Sequence, residues 1–218
     1  MTRIAIVGGH GQVARHLIHD LRRSDHDVVA LVRRESYRDD LEQRGAEVRL
    51  LDIEKQDAAG FAAAFEGCEV VVFAAGGGPD GNKERKRTVD LEGSLKSVEG
   101  ARAAGIRRFV QVSAIGVDVP LPDDTGDVWR AYVEAKRDAD AALRTSDLDW
   151  TIIRPGRLTD DPATGLVTLG SSVPRRDVTR ADVAAVLAGV IDAPRSVGRQ
   201  WDLVGGETPV GEAIARAE

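Results

Sequence analysis

The sequence predicts a doubly wound α/β domain, a mostly parallel sheet with helices on both faces. Short apolar runs alternate with segments of helical spacing along most of the chain, and the first run breaks into glycines before resuming as a helix. The length, 218 residues, favours one well-cored domain over two. Right-handed crossovers then place helices on both faces of the sheet. Residues 1–218 therefore read as a single domain, with the region from about 156 to 218 too short for a second one and expected to form the substrate side.

Ile4-Ala5-Ile6-Val7 is a continuous apolar run, as in a central parallel strand covered on both faces. Past Gly8, Gly9 and Gly11, the residues Val13, Ala14, Leu17, Ile18 and Leu21 recur at intervals of three and four, the buried stripe of a helix. Glycines at such a junction let the backbone approach a phosphate at the helix N-terminus, which makes an anion site; a plain tight turn is the simpler alternative. The spacing Gly8-x-x-Gly11-x-x-Ala14 is not the ordinary dinucleotide fingerprint, but its strand-turn-helix context is the required one.

His26 to Val32 reads as the second strand, ending at Arg33-Arg34. An acidic residue here would bond an adenosine ribose, whereas arginine accommodates a 2′-phosphate, so NADP is expected over NAD unless both arginines are merely solvated. A polar helix over 36–44 leads to a third strand, Glu47 to Leu51, followed by Asp52-Ile53, where Asp52 is placed to meet an adenine amine. Ala58 to Phe65 is a helix, and Val70 to Ala75 a strand running into the glycine turn Gly76-Gly77-Gly78-Pro79. Lys83 to Ala104 reads as one long helix whose basic opening (Lys83, Arg85, Lys86, Arg87) is a solvated face by default, with an anion-binding lid as the alternative.

Arg108 to Ser113 is the fifth strand. The loop Val117 to Asp127 carries Pro120, Pro122 and four aspartates, reads as exposed, and is a candidate cover for the site. A helix over 128–144 precedes the strand Trp150 to Ile153, which ends at Arg154-Pro155-Gly156. The tail holds a strand at Leu166 to Leu169, a helix over 180–191 opened by Thr179 with Asp182 three residues on, and a last strand, Gln200 to Val204.

A net charge of −6 argues against a nucleic-acid surface, which needs a basic footprint. No stretch approaches the ~20 apolar residues of a membrane span, and Met1-Thr2-Arg3 leads directly into the first strand, so a cytoplasmic protein without signal peptide is expected. Cys68 is the sole cysteine and reads as a buried, inert thiol. The four histidines (His10, His16, His19, His26) cluster around the first helix, and exposed or turn positions explain them better than a metal site.

The chemistry-bearing constellation is Tyr132-Val133-Glu134-Ala135-Lys136 with Ser113 at the end of the preceding strand. Tyrosine and lysine four apart share a helical face, and a nearby ammonium is expected to lower the phenol pKa, so that Tyr132 passes a proton to a carbonyl oxygen held by Ser113. Hydride must come from a nicotinamide, since no side chain supplies it.

These motifs, with Leu31-Val32-Arg33, Thr151-Ile152-Ile153-Arg154-Pro155-Gly156 and Arg180-Ala181-Asp182-Val183-Ala184, resemble the short-chain dehydrogenase/reductase superfamily. Within it the chain is most similar to the atypical NAD(P)H-binding branch of biliverdin-IX-beta/flavin reductase-like and NmrA-like proteins. The resemblance implies that Gly8, Gly11, Gln12 and Val13 cradle the pyrophosphate, and that Arg33 meets the 2′-phosphate, with Arg34 beside it. It further implies that Asp52 and Ile53 meet the adenine and that Ala74, Ala75 and Gly76 line the cofactor. Lys136 would hold the nicotinamide ribose and Pro155 border the nicotinamide. Asp90 stands where the family has a catalytic asparagine.

Three activities are compatible with these motifs: an NADP(H)-dependent reductase of a small carbonyl, quinone or flavin-like acceptor, a non-enzymatic NADP(H) sensor of NmrA type, and an epimerase or dehydratase acting on a nucleotide sugar. The expected partner is a small-molecule substrate, with neither nucleic acid nor membrane; monomer and homodimer stand equally open.

Overall fold

The computed structural model describes residues 1–78 and 81–217. The first half alternates strand and helix: β1 (Arg3–Val7), α1 (Gln12–Arg23), β2 (Asp27–Val32), α2 (Arg38–Gln43), β3 (Glu47–Leu50), α3 (Ala58–Ala64), β4 (Val70–Phe73). Next come α4 (Lys83–Arg85), a π-helical segment (Lys86–Leu91), α5 (Glu92–Ala103), β5 (Arg108–Val112), α6 (Asp127–Arg144) and β6 (Asp149–Pro155). The remainder is β7 (Arg157–Thr159), β8 (Leu166–Gly170), β9 (Asp177–Thr179), α7 (Arg180–Ile191), β10 (Arg199–Gly205), β11 (Thr208–Pro209) and α8 (Val210–Arg216).

The main sheet runs β11-β8-β10-β6-β5-β4-β1-β2-β3, parallel from β10 to β3, with β8 and β11 joining antiparallel at the other edge. Strand order reverses between β1 and β4, where Ile4 to Val7 pair with Val28 to Leu31 on one side and Val70 to Phe73 on the other. In open α/β sheets the crevice at such a switch point, beyond the strands' carboxyl ends, is where ligands bind.

The continuous apolar runs follow from burial on both faces. Because successive side chains point to opposite faces, Ile4, Ile6, Ala30 and Val72 pack with Leu17, Ile18 and Leu21 of α1 and Val186, Leu187 and Val190 of α7. Ala5, Val7, Leu31, Val71 and Phe73 pack instead with Phe61 of α3, Val98 and Ala101 of α5 and Leu143 of α6. Each fully buried Val, Leu, Ile or Phe side chain among them contributes about 1.5–3 kcal/mol.

Several expectations need correction. The helix read over 83–104 is interrupted by the π-helical segment, whose wider turn aims Lys86 and Asp90 inward. Lys86 is thus not on a solvated face: it is buried, and its ammonium donates to the Gly78 carbonyl. The segment read as a helix over 36–44 is a 3₁₀ turn (Glu35–Tyr37) followed by α2. Strands β7, β9 and β11 and helix α8 were not expected, being too short to carry a periodic signal. Thr179 caps α7 through the Asp182 amide at 2.9 Å, but the Asp182 carboxylate holds the Thr164 and Gly165 amides rather than returning to Thr179. His26 is buried, not exposed, and pairs with Asp192 at 3.0 Å. Cys68 is buried, and desolvation pushes its thiol pKa up. Pro79, the end of the second glycine turn, lies outside the described residues. No helix among the described residues is long and apolar enough to cross a membrane.

Candidate active site

The glycine turn between β1 and α1 is shaped by close backbone approach. Gly8 has φ +83°, and a Cβ there would lie 2.8 Å from the Ala75 Cα, while a Cβ on Gly9 would lie 2.7 Å from that of Ala30. The Gly8 and Gly9 amides donate to the Leu31 carbonyl and the Gly11 amide to that of Gly8. Helix α1 starts at Gln12 with neither a capping side chain at Gly11 nor an acidic residue in its first turn. Its first amides are therefore uncommitted to protein anions, which is how a helix N-terminus fit to receive a pyrophosphate looks.

This turn opens into a cleft of about 260 Å³ lined by Gly8, His10, Gly11, Arg33, Asp52, Ile53, Ala74, Ala75 and Gly76, together with Tyr37, Glu54 and Arg85. The fold thus brings together, in one crevice, most of the residues expected to meet the cofactor. Gln12 and Val13 begin the helix beside it without lining it, Val13 packing on the core. Arg34 does not line the cleft but stands beside it, its guanidinium 5.8 Å from the ring centroid of Tyr37, which does. His10 stacks on Tyr37 with ring centroids 3.6 Å apart, and burial, seconded by Arg15, lowers its pKa.

One hydrogen bond and a buried ion pair lead from the cleft toward the chemistry-bearing residues. Beyond Gly76, the Gly77 amide donates to Asp90 Oδ2 at 2.8 Å, and Asp90 Oδ1 stands 3.2 Å from Lys136 Nζ, which also donates to the Val112 carbonyl at 3.1 Å. Burial by itself would lower the Lys136 pKa, but Asp90 outweighs it with help from Tyr132, and the ammonium is pushed up. Asp90, buried to 1% exposure, therefore anchors the lysine and closes the second glycine turn. Pro155 ends β6 on this side of the sheet, and its carbonyl accepts the Ile115 amide at 3.0 Å.

Two expectations about the catalytic groups are overturned. Tyr132 is half-buried, its ring 5.2 Å from that of Trp129 and 5.9 Å from Lys86 Nζ. Its pKa is raised, not lowered: desolvation dominates, and the Lys136 attraction is opposed by Asp90 and Asp140. Ser113 does not present its proton to the cleft; the hydroxyl donates to Asp140 Oδ2 at 2.7 Å. Asp140 is fully buried and also accepts from Gln111 Nε2 at 2.7 Å and Arg154 Nε at 2.9 Å, while Ser94 donates to Gln111 Oε1 at 2.6 Å. Arg154 in turn reaches Asp118 at 2.6 Å, tying the loop over 117–127 to the end of β6.

Sequence reasoning missed His10, Tyr37, Glu54 and Asp140 as members or supports of this region, and read Arg85 and Lys86 by default as a solvated face. The basic run was the local signal for the last two. Asp140 lies four residues past Lys136 on the same helical face, a spacing that any exposed helix also shows.

Fold and cleft together define a dinucleotide-binding Rossmann protein. The chain belongs to the NAD(P)H-binding family, whose model matches residues 8–194. It is 34% identical over 215 residues to YhfK of Bacillus subtilis (strain 168), described as an uncharacterized sugar epimerase, covering 98% of this chain and 99% of that protein. A solved structure from Bacillus halodurans, provisionally described as an NAD-dependent epimerase/dehydratase, superposes with a TM-score of 0.91 at 36% identity, covering 99% of this chain and 100% of that one. ChuY, an anaerobillin reductase from Escherichia coli O157:H7, superposes with a TM-score of 0.75 at 26% identity, covering 94% and 97% of the two chains.

Proposed function

We propose that this protein is an NADP(H)-dependent reductase of a small carbonyl, quinone or flavin-like acceptor, with Tyr132 as proton donor. The observation that carries the reading is the chain from cleft to chemistry: Gly77 to Asp90, Asp90 to Lys136, with Lys136 one turn from Tyr132 on α6. The bound cofactor supplies a hydride to the acceptor. The α1 amides and the Gly8 to Gly11 turn hold its pyrophosphate, Arg33 its 2′-phosphate, Asp52 and Ile53 its adenine, and Pro155 borders the reacting end. Residues from about 156 onward close the substrate side.

Desolvation raises the Tyr132 pKa and makes the phenol a weaker acid than an exposed tyrosine, so proton donation relies on the neighbouring Lys136 ammonium. As negative charge develops on the acceptor oxygen, Tyr132 Oη gives up its proton, and the Lys136 ammonium stabilises the resulting phenolate. Ser113, its own proton committed to Asp140, gives no hydrogen bond to that oxygen, which Tyr132 protonates.

The likeness to an uncharacterized sugar epimerase favours a second reading, transient oxidation and re-reduction of a sugar carbon without net cofactor consumption.

An acceptor screen that follows NADPH absorbance tests the proposal. Tyr132→Phe is expected to lower turnover by about 10²–10⁴-fold with cofactor affinity nearly unchanged. Turnover that survives the substitution would point to direct hydride transfer without a tyrosine proton. No turnover with any acceptor, alongside NADPH binding and reproducible capture of a protein partner, would favour the sensor.

A further inference from the structure

At the rim of the cleft a single carboxylate stands between two guanidiniums. Glu54 Oε2 lies 3.9 Å from Arg33 Nη1 and 3.8 Å from Arg85 Nε, and Glu54 Oε1 accepts the Thr88 hydroxyl at 2.8 Å. The three charged residues come from three places, the end of β2, the loop after β3 and α4, and all line the same cleft. Their separations are those of ion pairs without direct hydrogen bonds. The side chains are 26–40% exposed, so water weakens both pairs.

That arrangement suits a replaceable anion. A phosphate carries more charge than a carboxylate and presents several oxygens to an arginine fork, so it makes the shorter, charge-assisted bonds that Glu54 does not make here. Asp52, the neighbouring acid in the cleft, is held by its own loop: its carboxylate accepts the Glu54 amide at 3.1 Å and lies 3.6 Å from Lys55.

We infer that Arg85 is the second guanidinium of the 2′-phosphate subsite and that Glu54 is its built-in competitor. With Glu54 in place, paired to both arginines, the rim tolerates an unphosphorylated ribose; with Glu54 displaced, Arg33 and Arg85 both turn to the phosphate. Glu54 thereby sets how strongly the protein discriminates NADP(H) from NAD(H). The inference rests on the assignment of Arg33 to the 2′-phosphate and adds two specificity-determining residues to it.

Calorimetric titration of the full chain with 2′,5′-ADP and 5′-AMP tests it, the ratio of affinities reporting the 2′-phosphate alone. Glu54→Gln is expected to tighten 2′,5′-ADP binding by about tenfold and to leave 5′-AMP almost unchanged, and Arg85→Gln to weaken 2′,5′-ADP by about tenfold, with Arg85→Lys intermediate. All three side chains are partly exposed, so thermal midpoints should match the parent and certify the fold. A loss of 5′-AMP affinity in Glu54→Gln would make Glu54 a ribose ligand and overturn the competitor role. If Arg33→Ala abolishes the preference while Glu54→Gln and Arg85→Gln leave the ratio unchanged, this inference alone fails. If the parent binds both ligands equally and Arg33→Ala changes neither, the NADP assignment fails with it.

Discussion

The Ser113 hydroxyl donates to Asp140 across 2.7 Å, and it does so below the cleft, inside the protein. Asp140 is the hub of a buried polar cluster in which Gln111, Ser113 and Arg154 all donate to one carboxylate. Its worth to the fold lies in what removing it leaves behind, since Arg154 is itself buried and its second carboxylate partner, Asp118, belongs to a half-exposed loop.

Asp140→Ala is therefore expected to destabilise the protein by about 3–5 kcal/mol, the cost of breaking a buried ion pair from one side. Urea denaturation checks this. Ser113→Ala, which removes one neutral donor and leaves the pair intact, should cost only about 1 kcal/mol. Equal losses in the two variants would mean that the charge pair contributes little.

The pair of Lys136 and Asp90 has a pH signature. Lys136 has its folded pKa raised, so its contribution to stability is fully present below the unfolded value of about 10.4 and is lost as pH rises through the folded value. In Asp90→Asn burial acts unopposed by that carboxylate and the lysine pKa falls instead. The stability difference between parent and variant should then be largest near neutral pH, about 3 kcal/mol, and shrink toward pH ~11. A difference that stays constant with pH would show that the two charges are not coupled.

Gly8 is predicted to tolerate no side chain. Gly8→Ala adds a Cβ 2.8 Å from the Ala75 backbone at φ +83°, so overpacking and a left-handed backbone together should cost about 2–4 kcal/mol. The same shift moves the turn that faces the cleft, so NADPH affinity should fall with stability. Gly67→Ala, at φ +73° with open space around it, serves as the control: it bears only the backbone strain, lies at the end of α3 away from the cleft, and should leave affinity unchanged.

What the amino-acid order determined unaided was everything carried by local pattern. Apolar runs such as Ile4 to Val7 and Val70 to Phe73, glycines at strand ends, and three- and four-residue spacing in α1 and α6 specify the strands, helices and alternation that make a parallel sheet. The switch point and its glycine turn follow, and with them the cofactor end of the cleft. What only the tertiary structure decided was the state of individual polar groups. Burial of Tyr132 overrides the pull of Lys136 on its pKa, Asp140 takes the Ser113 proton, the π-helical turn buries Lys86 and Asp90, and Glu54 comes to rest between Arg33 and Arg85. The contacts that decide them span the chain: Ser113 and Asp140 are 27 positions apart, and Glu54 lies 21 and 31 positions from Arg33 and Arg85. Helical and strand periodicity is a short-range property, whereas desolvation and charge pairing depend on distances in space that no local spacing encodes.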